Sequence, residues 1–348
     1  MSIKKEIISL LPKIDLHRHL DGSVRVETIL ESAIKRNFKL PTYDVDKLRK
    51  YVQVSPKCKS LTEFLKTFDF FYDIIKFPDV LERISYEVCE DAAEKENIKY
   101  LEIRFAPPLQ TNKNFSEEDV VKSVLTGVRY GQRKFGIKVG VILCLYRYHT
   151  ITEEQNWKTM KIAEKYFGDG VVGIDLAGDE SKYSVVLFKK FFEYAKACGI
   201  PITCHAGEAG GPQEVYHAIK FGAKRIGHGI KIYKDKKIME FVKNSSVVLE
   251  ICLTSNVQTQ VVKDIKYHPV KKFYDYGLKI TINTDDPSVS GIDLNHELYL
   301  ANKVFKFSIE DLKKIILNAA EASFLDTKDK KMLIQQIKKE MEKQKYDI

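Results

Sequence analysis

Short apolar runs rich in β-branched residues alternate along this chain with longer segments whose apolar positions recur at helical spacing, and the alternation repeats eight times. The runs are KIDLHRH (13–19), KYLEIRF (99–105), KVGVILCLY (138–146), VVGIDLA (171–177), IPITCHA (200–206), RIGHG (225–229), SVVLEICL (246–253) and KITINTDD (279–286). Helix-start signals stand between them. Ser60, Ser116 and Ser308 precede Glu63, Asp119 and Asp311 by three residues, the spacing at which two side chains satisfy the free amides of a first turn. Gly136 and Gly199 fall where a helix would stop before the next strand.

Strands separated by helices pair in parallel, because a parallel neighbour is reached only through a crossover. Eight such units predict an α/β fold, a closed (β/α)8 TIM barrel, with extra helices after the first strand in the long connection 22–97. No Pro/Gly-rich hinge or low-complexity linker interrupts the chain, so residues 1–348 read as a single domain. In such a barrel the loops at the C-terminal strand ends build the active site.

Composition changes this picture little. Hydrophobic residues at 44% and charged residues at 30% fit a globular protein, and no apolar run approaches the roughly 18 residues of a membrane span. Because apolar runs are short and charges interrupt the N-terminus, a cytoplasmic protein with no membrane partner is expected. The net charge of +9 raises the question of nucleic acid, but the lysines are spread along the chain and describe solvated helix faces. The six cysteines, Cys58, Cys89, Cys144, Cys198, Cys204 and Cys252, contain no C-x-x-C pair and read as small buried residues in a reducing compartment.

Histidine is scarce, yet four of the eight lie at predicted strand ends: His17 and His19 on the first, His205 on the fifth and His228 on the sixth. Asp285 and Asp286 end the eighth. His17 and His19 share one face of their strand, since side chains alternate with period two. With His205 and Asp285 they compose a nitrogen and oxygen donor set suited to zinc, with room for water. The fourth strand, Gly173 to Gly178, contains no lysine to bridge two metals, so one ion per chain is expected. His149, His217, His268 and His296 fit no place in this constellation and read as surface or packing residues.

At this point the chain resembles the adenosine deaminase family of metal-dependent hydrolases over residues 11–290. The ordered motifs KIDLHRHLDGSV, SLTEFLKTFD, LEIRFAP, GIDLAGDE, CHAGE, RIGHG, EICLTSNVQT and INTDDP carry the resemblance. It implies a zinc hydrolase that converts adenosine, and 2′-deoxyadenosine, to inosine and ammonia in purine salvage. His17, His19, His205 and Asp285 would hold one Zn2+. Glu208 would donate a proton to ring nitrogen 1, a role for which burial should raise its pKa. His228 would sit beside the attacking water as base or electrostatic guide. Asp286 would contact ring nitrogen 7, Gly178 ring nitrogen 3 and Asp21 a ribose hydroxyl, and His19 would also touch the substrate. Leu61, Phe64, Leu65 and Phe68 would form an apolar lid.

Several of these positions also have a plainer reading. Asp21-Gly22 is a turn pair, Asp286 is placed to cap the next helix, Gly178 fits a turn, and the apolar repeat at 61–68 fits ordinary core. The same chemistry on aminodeoxyfutalosine, methylthioadenosine, N6-methyl-AMP or adenine is the alternative, with Asp21 opposing a phosphate. The expected partner is a small purine nucleoside. The oligomeric state stays open, a monomer being the simplest case.

Overall fold

The computed structural model describes residues 3–343. Eight strands run β1 Lys13–His19, β2 Ile98–Phe105, β3 Lys138–Arg147, β4 Val171–Gly178, β5 Thr203–Ala206, β6 Arg225–His228, β7 Val248–Ile251 and β8 Lys279–Ile282. All pairings are parallel, in two four-stranded sheets ordered β1-β2-β3-β4 and β5-β6-β7-β8. Parallel bridges Ile174–Ile202 and Arg18–Asp285 join the two sheets at both seams. The result is the closed (β/α)8 barrel that the alternation predicts.

Every predicted strand forms, but the last four are shorter than their apolar runs. In particular β8 ends at Ile282, so Asp285 and Asp286 lie beyond the strand and not on it. The reason is local. Asp285 takes a left-handed φ of +64°, which takes it out of strand conformation. Its N–H nevertheless donates to His17 O at 2.8 Å, and its carbonyl accepts from His19 N–H at 2.7 Å, which pins the loop to β1.

The connections are helical where the pattern requires it. Reciprocal capping boxes open Glu117–Phe135 from Ser116 and Ile309–Ala322 from Ser308. Ser60 caps the helix Leu61–Leu65 only one way, because the Glu63 carboxylate accepts from Lys59 N–H instead. A further box, Thr152 with Gln155, opens Glu153–Tyr166. Gly136 and Gly199 end their helices with φ of +68° and +70°. The first connection holds several helices, among them Val26–Lys35, Val45–Val52, Leu61–Leu65 and Pro78–Glu90.

Period-two alternation sorts β2 into two faces. Leu101, Ile103 and Phe105 are buried in the main apolar core, whereas Glu102 and Arg104 join a chain of ion pairs. Arg225 pairs with Glu102 and, at 2.6 Å, with Glu250; Arg104 pairs with Glu250 at 2.9 Å and with Asp175 at 3.1 Å. These groups are fully or almost fully buried, and each charge meets its opposite, as burial demands. The chain ends at the C-terminal mouth, where Glu250 meets His17.

Candidate active site

Three imidazoles and one carboxylate converge at that mouth. His17 Nε2 lies 3.1 Å from His205 Nε2 and 3.2 Å from Asp285 Oδ1, and His19 Nε2 lies 3.3 Å from His205 Nε2 and 3.4 Å from Asp285 Oδ1. Such spacings are those between neighbouring ligands about 2 Å from a common ion. The far nitrogens settle the proton positions. His17 Nδ1 is 2.8 Å from Glu250 Oε2, and His205 Nδ1 is 2.8 Å from Asp175 Oδ2, less well aligned but held by charge. With protons drawn to Nδ1, lone pairs on Nε2 face one another across a gap that a cation would fill.

The surrounding charges favour a cation in the same place. Burial and Arg104 oppose a charged His17, yet Asp285 and Glu250 raise its pKa to about 9. Burial likewise opposes ionised Glu250, but Arg104 and Arg225 hold it well below the usual carboxylate range. His228 also stands within reach of His17, His205 and Asp285. Its Nε2, however, faces Asp285 Oδ2 at 3.8 Å and Glu208 Oε2 at 3.6 Å, away from the Oδ1 shared by His17 and His19. The spacings of 3.1–3.4 Å thus run among His17, His19, His205 and Asp285, with His228 beside them, and either His19 or His228 could complete a donor set with the other three.

Above the donors lies a cavity of about 340 Å³. His19, Asp21, Gly178, Glu208, His228 and Asp286 all line it, and so do Leu61, Phe64, Leu65 and Phe68. Glu208 is buried, and burial followed by Asp285 and Glu180 pushes its carboxyl up to about 8. Its loop is clamped by Glu180, whose carboxylate accepts from the backbone N–H groups of Gly207, Glu208 and Ala209 at 2.6, 3.0 and 2.8 Å. Asp286 makes no side-chain cap to the helix after it, which removes the plainer reading. Its Oδ1 is buried without a partner, and burial beside Asp285 raises its pKa well above the usual value.

Two glycines have structural causes. A Cβ on Gly22 would lie 1.9 Å from Asp286 Oδ1 and 2.6 Å from its Cα, so the Asp21-Gly22 pair exists to let these two loops touch. Gly178 has φ +99°, and a Cβ there would lie 2.7 Å from Arg147 O. Its need for glycine thus arises from the neighbouring β3 backbone as well as from its place on the cavity wall.

Sequence reasoning missed several wall residues. Tyr72 continues the apolar repeat of 61, 64, 65 and 68 by four residues, a signal that was available, and its hydroxyl donates to Asp21 Oδ2 at 2.6 Å. Thr259 donates to Glu208 Oε1 at 3.2 Å. His268, expected at the surface or in packing, is buried, and its ring is joined to Asn256, which in turn joins His228.

A parallel barrel with histidine and aspartate donors gathered at its C-terminal mouth defines the class of metal-dependent barrel hydrolases. A sequence model described as adenosine deaminase matches residues 12–340. Adenosine deaminase of Clostridium perfringens (strain SM101) is 40% identical over 93% of this chain and 97% of its own length. That of Clostridium acetobutylicum is 40% identical over 97% and 100%. An Arabidopsis N6-mAMP deaminase structure superposes with TM-score 0.85 at 30% identity, covering 96% of this chain and 99% of its own. A Burkholderia ambifaria amidohydrolase with bound Zn gives TM-score 0.87 at 25% identity over 98% and 94%. This chain belongs to the adenosine deaminase family.

Proposed function

We propose that the chain catalyses hydrolytic deamination of adenosine, and of 2′-deoxyadenosine, to inosine and ammonia, as a zinc enzyme of purine salvage. One observation carries the reading most directly: Glu208 is a buried carboxyl favoured in its acid form, beside the cluster of imidazoles and Asp285, on the wall of the cavity at the barrel mouth. His17, His19, His205 and Asp285 would hold the ion, which when bound makes water nucleophilic near neutral pH.

The chain's own groups account for the rest. Glu208 gives its proton to ring nitrogen 1, which makes carbon 6 electrophilic for attack by water oxygen. Of the two hydrogens that water brings, one restores Glu208 and the other leaves on ammonia. His228 steadies the attacking oxygen. Asp286 in its acid form donates to ring nitrogen 7, an acceptor, and its partnerless Oδ1 is available for that contact. The Gly178 N–H donates to ring nitrogen 3. Asp21, whose Oδ1 also lacks a partner, accepts from a ribose hydroxyl near His19. Leu61, Phe64, Leu65 and Phe68 cover the base and exclude bulk water.

The Arabidopsis relative acts on a nucleotide, so the sugar substituent needs its own argument. Asp21, Asp69 and Asp73 line this cavity against one lysine, Lys76, which is paired with Asp73 at 3.0 Å. A phosphate would meet net negative charge there, which favours the nucleoside. The test is a panel of adenosine, 2′-deoxyadenosine, AMP, N6-methyl-AMP, methylthioadenosine and adenine, followed by the absorbance change of amine loss. Adenosine and 2′-deoxyadenosine should give the highest kcat/KM; preference for any other compound would reject the substrate while leaving the chemistry.

A further inference from the structure

His268 sits far from the strand ends in sequence, just before the helix Val270–Tyr276, yet it is buried and bonded at both ring nitrogens. The Val270 N–H donates to His268 Nδ1 at 3.1 Å. His268 Nε2 lies 3.1 Å from Asn256 Oδ1, and Asn256 Nδ2 lies 3.1 Å from His228 Nδ1. A backbone amide can only donate, and this fixes the direction of every bond that follows. Nδ1 of His268 holds a lone pair, so its one proton is on Nε2. That proton goes to the Asn256 oxygen, which leaves the amide N–H facing His228. His228 Nδ1 must accept it, and the His228 proton therefore sits on Nε2.

Independent features agree with this direction. His228 Nε2 faces Asp285 Oδ2 at 3.8 Å, a carboxylate oxygen able to accept. His228 also holds a φ of +62°, a costly conformation for a residue with a side chain, and one that persists only where surrounding structure enforces it. Asn256 is fully buried, so water does not compete for either end of its amide.

We propose that His268 and Asn256 are positioning residues that hold His228 as its Nε2–H tautomer, so that His228 meets the attacking oxygen as a hydrogen-bond donor and not as a base. The tautomer follows from the bonds alone; only its use on the attacking oxygen rests on the deaminase reading. The same relay explains why a ring nitrogen placed beside the attacking water need not take up its proton.

The direct test reads proton positions. In long-range 1H–15N correlation spectra of the zinc-loaded, histidine-labelled enzyme, with each ring assigned by single substitution, His228 and His268 should both show unprotonated Nδ1 and protonated Nε2. A protonated Nδ1 on His228, alone or together with Nε2, overturns the proposal. His268→Phe should lose the single-tautomer pattern of His228 and lower kcat about 10- to 100-fold, as for other orienting partners. Bound zinc and KM should stay within about twofold. His268→Gln keeps a donor facing Asn256 and should recover most of the rate; equal losses in both variants would remove the relay. If either variant fails to fold, the wild-type spectrum still decides. An enzyme with the expected spectrum and no turnover of adenosine would refute the substrate alone.

Discussion

Burial sets the charge of the acids that matter most. Glu208 is neutral in the fold up to about pH 8, whereas in the unfolded chain it ionises near 4.5. Between those values the unfolded state loses a proton that the folded state keeps, so stability falls as pH rises, by about 3 kcal/mol at pH 7. Glu208→Gln should therefore raise the Tm of the metal-free protein at pH 7 and leave it unchanged at pH 4; an unchanged Tm at both would contradict the buried acid. The same variant should retain zinc and lose most turnover, and activity within a few-fold of wild type would remove Glu208 as proton donor. In the wild type, kcat/KM should decline as pH rises through the Glu208 pKa, a limb that a bound dication shifts to lower pH. Asp21→Ala should weaken adenosine far more than adenine, since only the nucleoside brings a hydroxyl to that carboxylate; equal losses in a two-substrate comparison would discard the ribose contact.

At the scale of elements, β1 shows how one strand serves two layers. His17 and His19 point to the donor cluster, and Arg18 between them points away, where its guanidinium makes paired bonds to both Glu96 oxygens at 2.8 and 2.7 Å. Glu96 also accepts from Leu294 N–H at 2.7 Å, so the arginine ties the strand to the chain beyond β8. Arg18→Met should leave Glu96 buried with much of its partner set gone and lower stability by about 3–5 kcal/mol. Denaturant titration of the variant measures this, and a loss below about 1 kcal/mol would show that Glu96 is compensated elsewhere. The helical connections teach a simpler lesson. Ser116 and Ser308 announced their caps because both partners are local in sequence, whereas Ser60 lost half of its box to a competing bond from Lys59.

For the molecule as a whole, the barrel brings five separate stretches of chain to one point and backs them with buried ion pairs from Glu102 to His17. An ion bound only by the folded state stabilises it by mass action. Removing metal with a chelator should lower the Tm, and zinc should restore it in proportion to the logarithm of free metal. A Tm indifferent to chelation, read by calorimetry on metal-analysed protein, would contradict the convergent donor set. The absence of any helix long and apolar enough to cross a membrane, among the described residues, accords with the short apolar runs.

The eight strands, their parallel order, and the His17, His19, His205, Asp285, Glu208 and His228 candidates were all legible in the sequence. These features depend on local period and on motifs whose parts lie close along the chain. The ionic barrel interior, the seating of Asp286 against Gly22, the Glu180 clamp and the relay from His268 to His228 were decided by tertiary structure alone. Each joins residues far apart in sequence, and a hydrogen bond's direction or a buried acid's charge depends on which groups close around it, a fact that no spacing along one chain records.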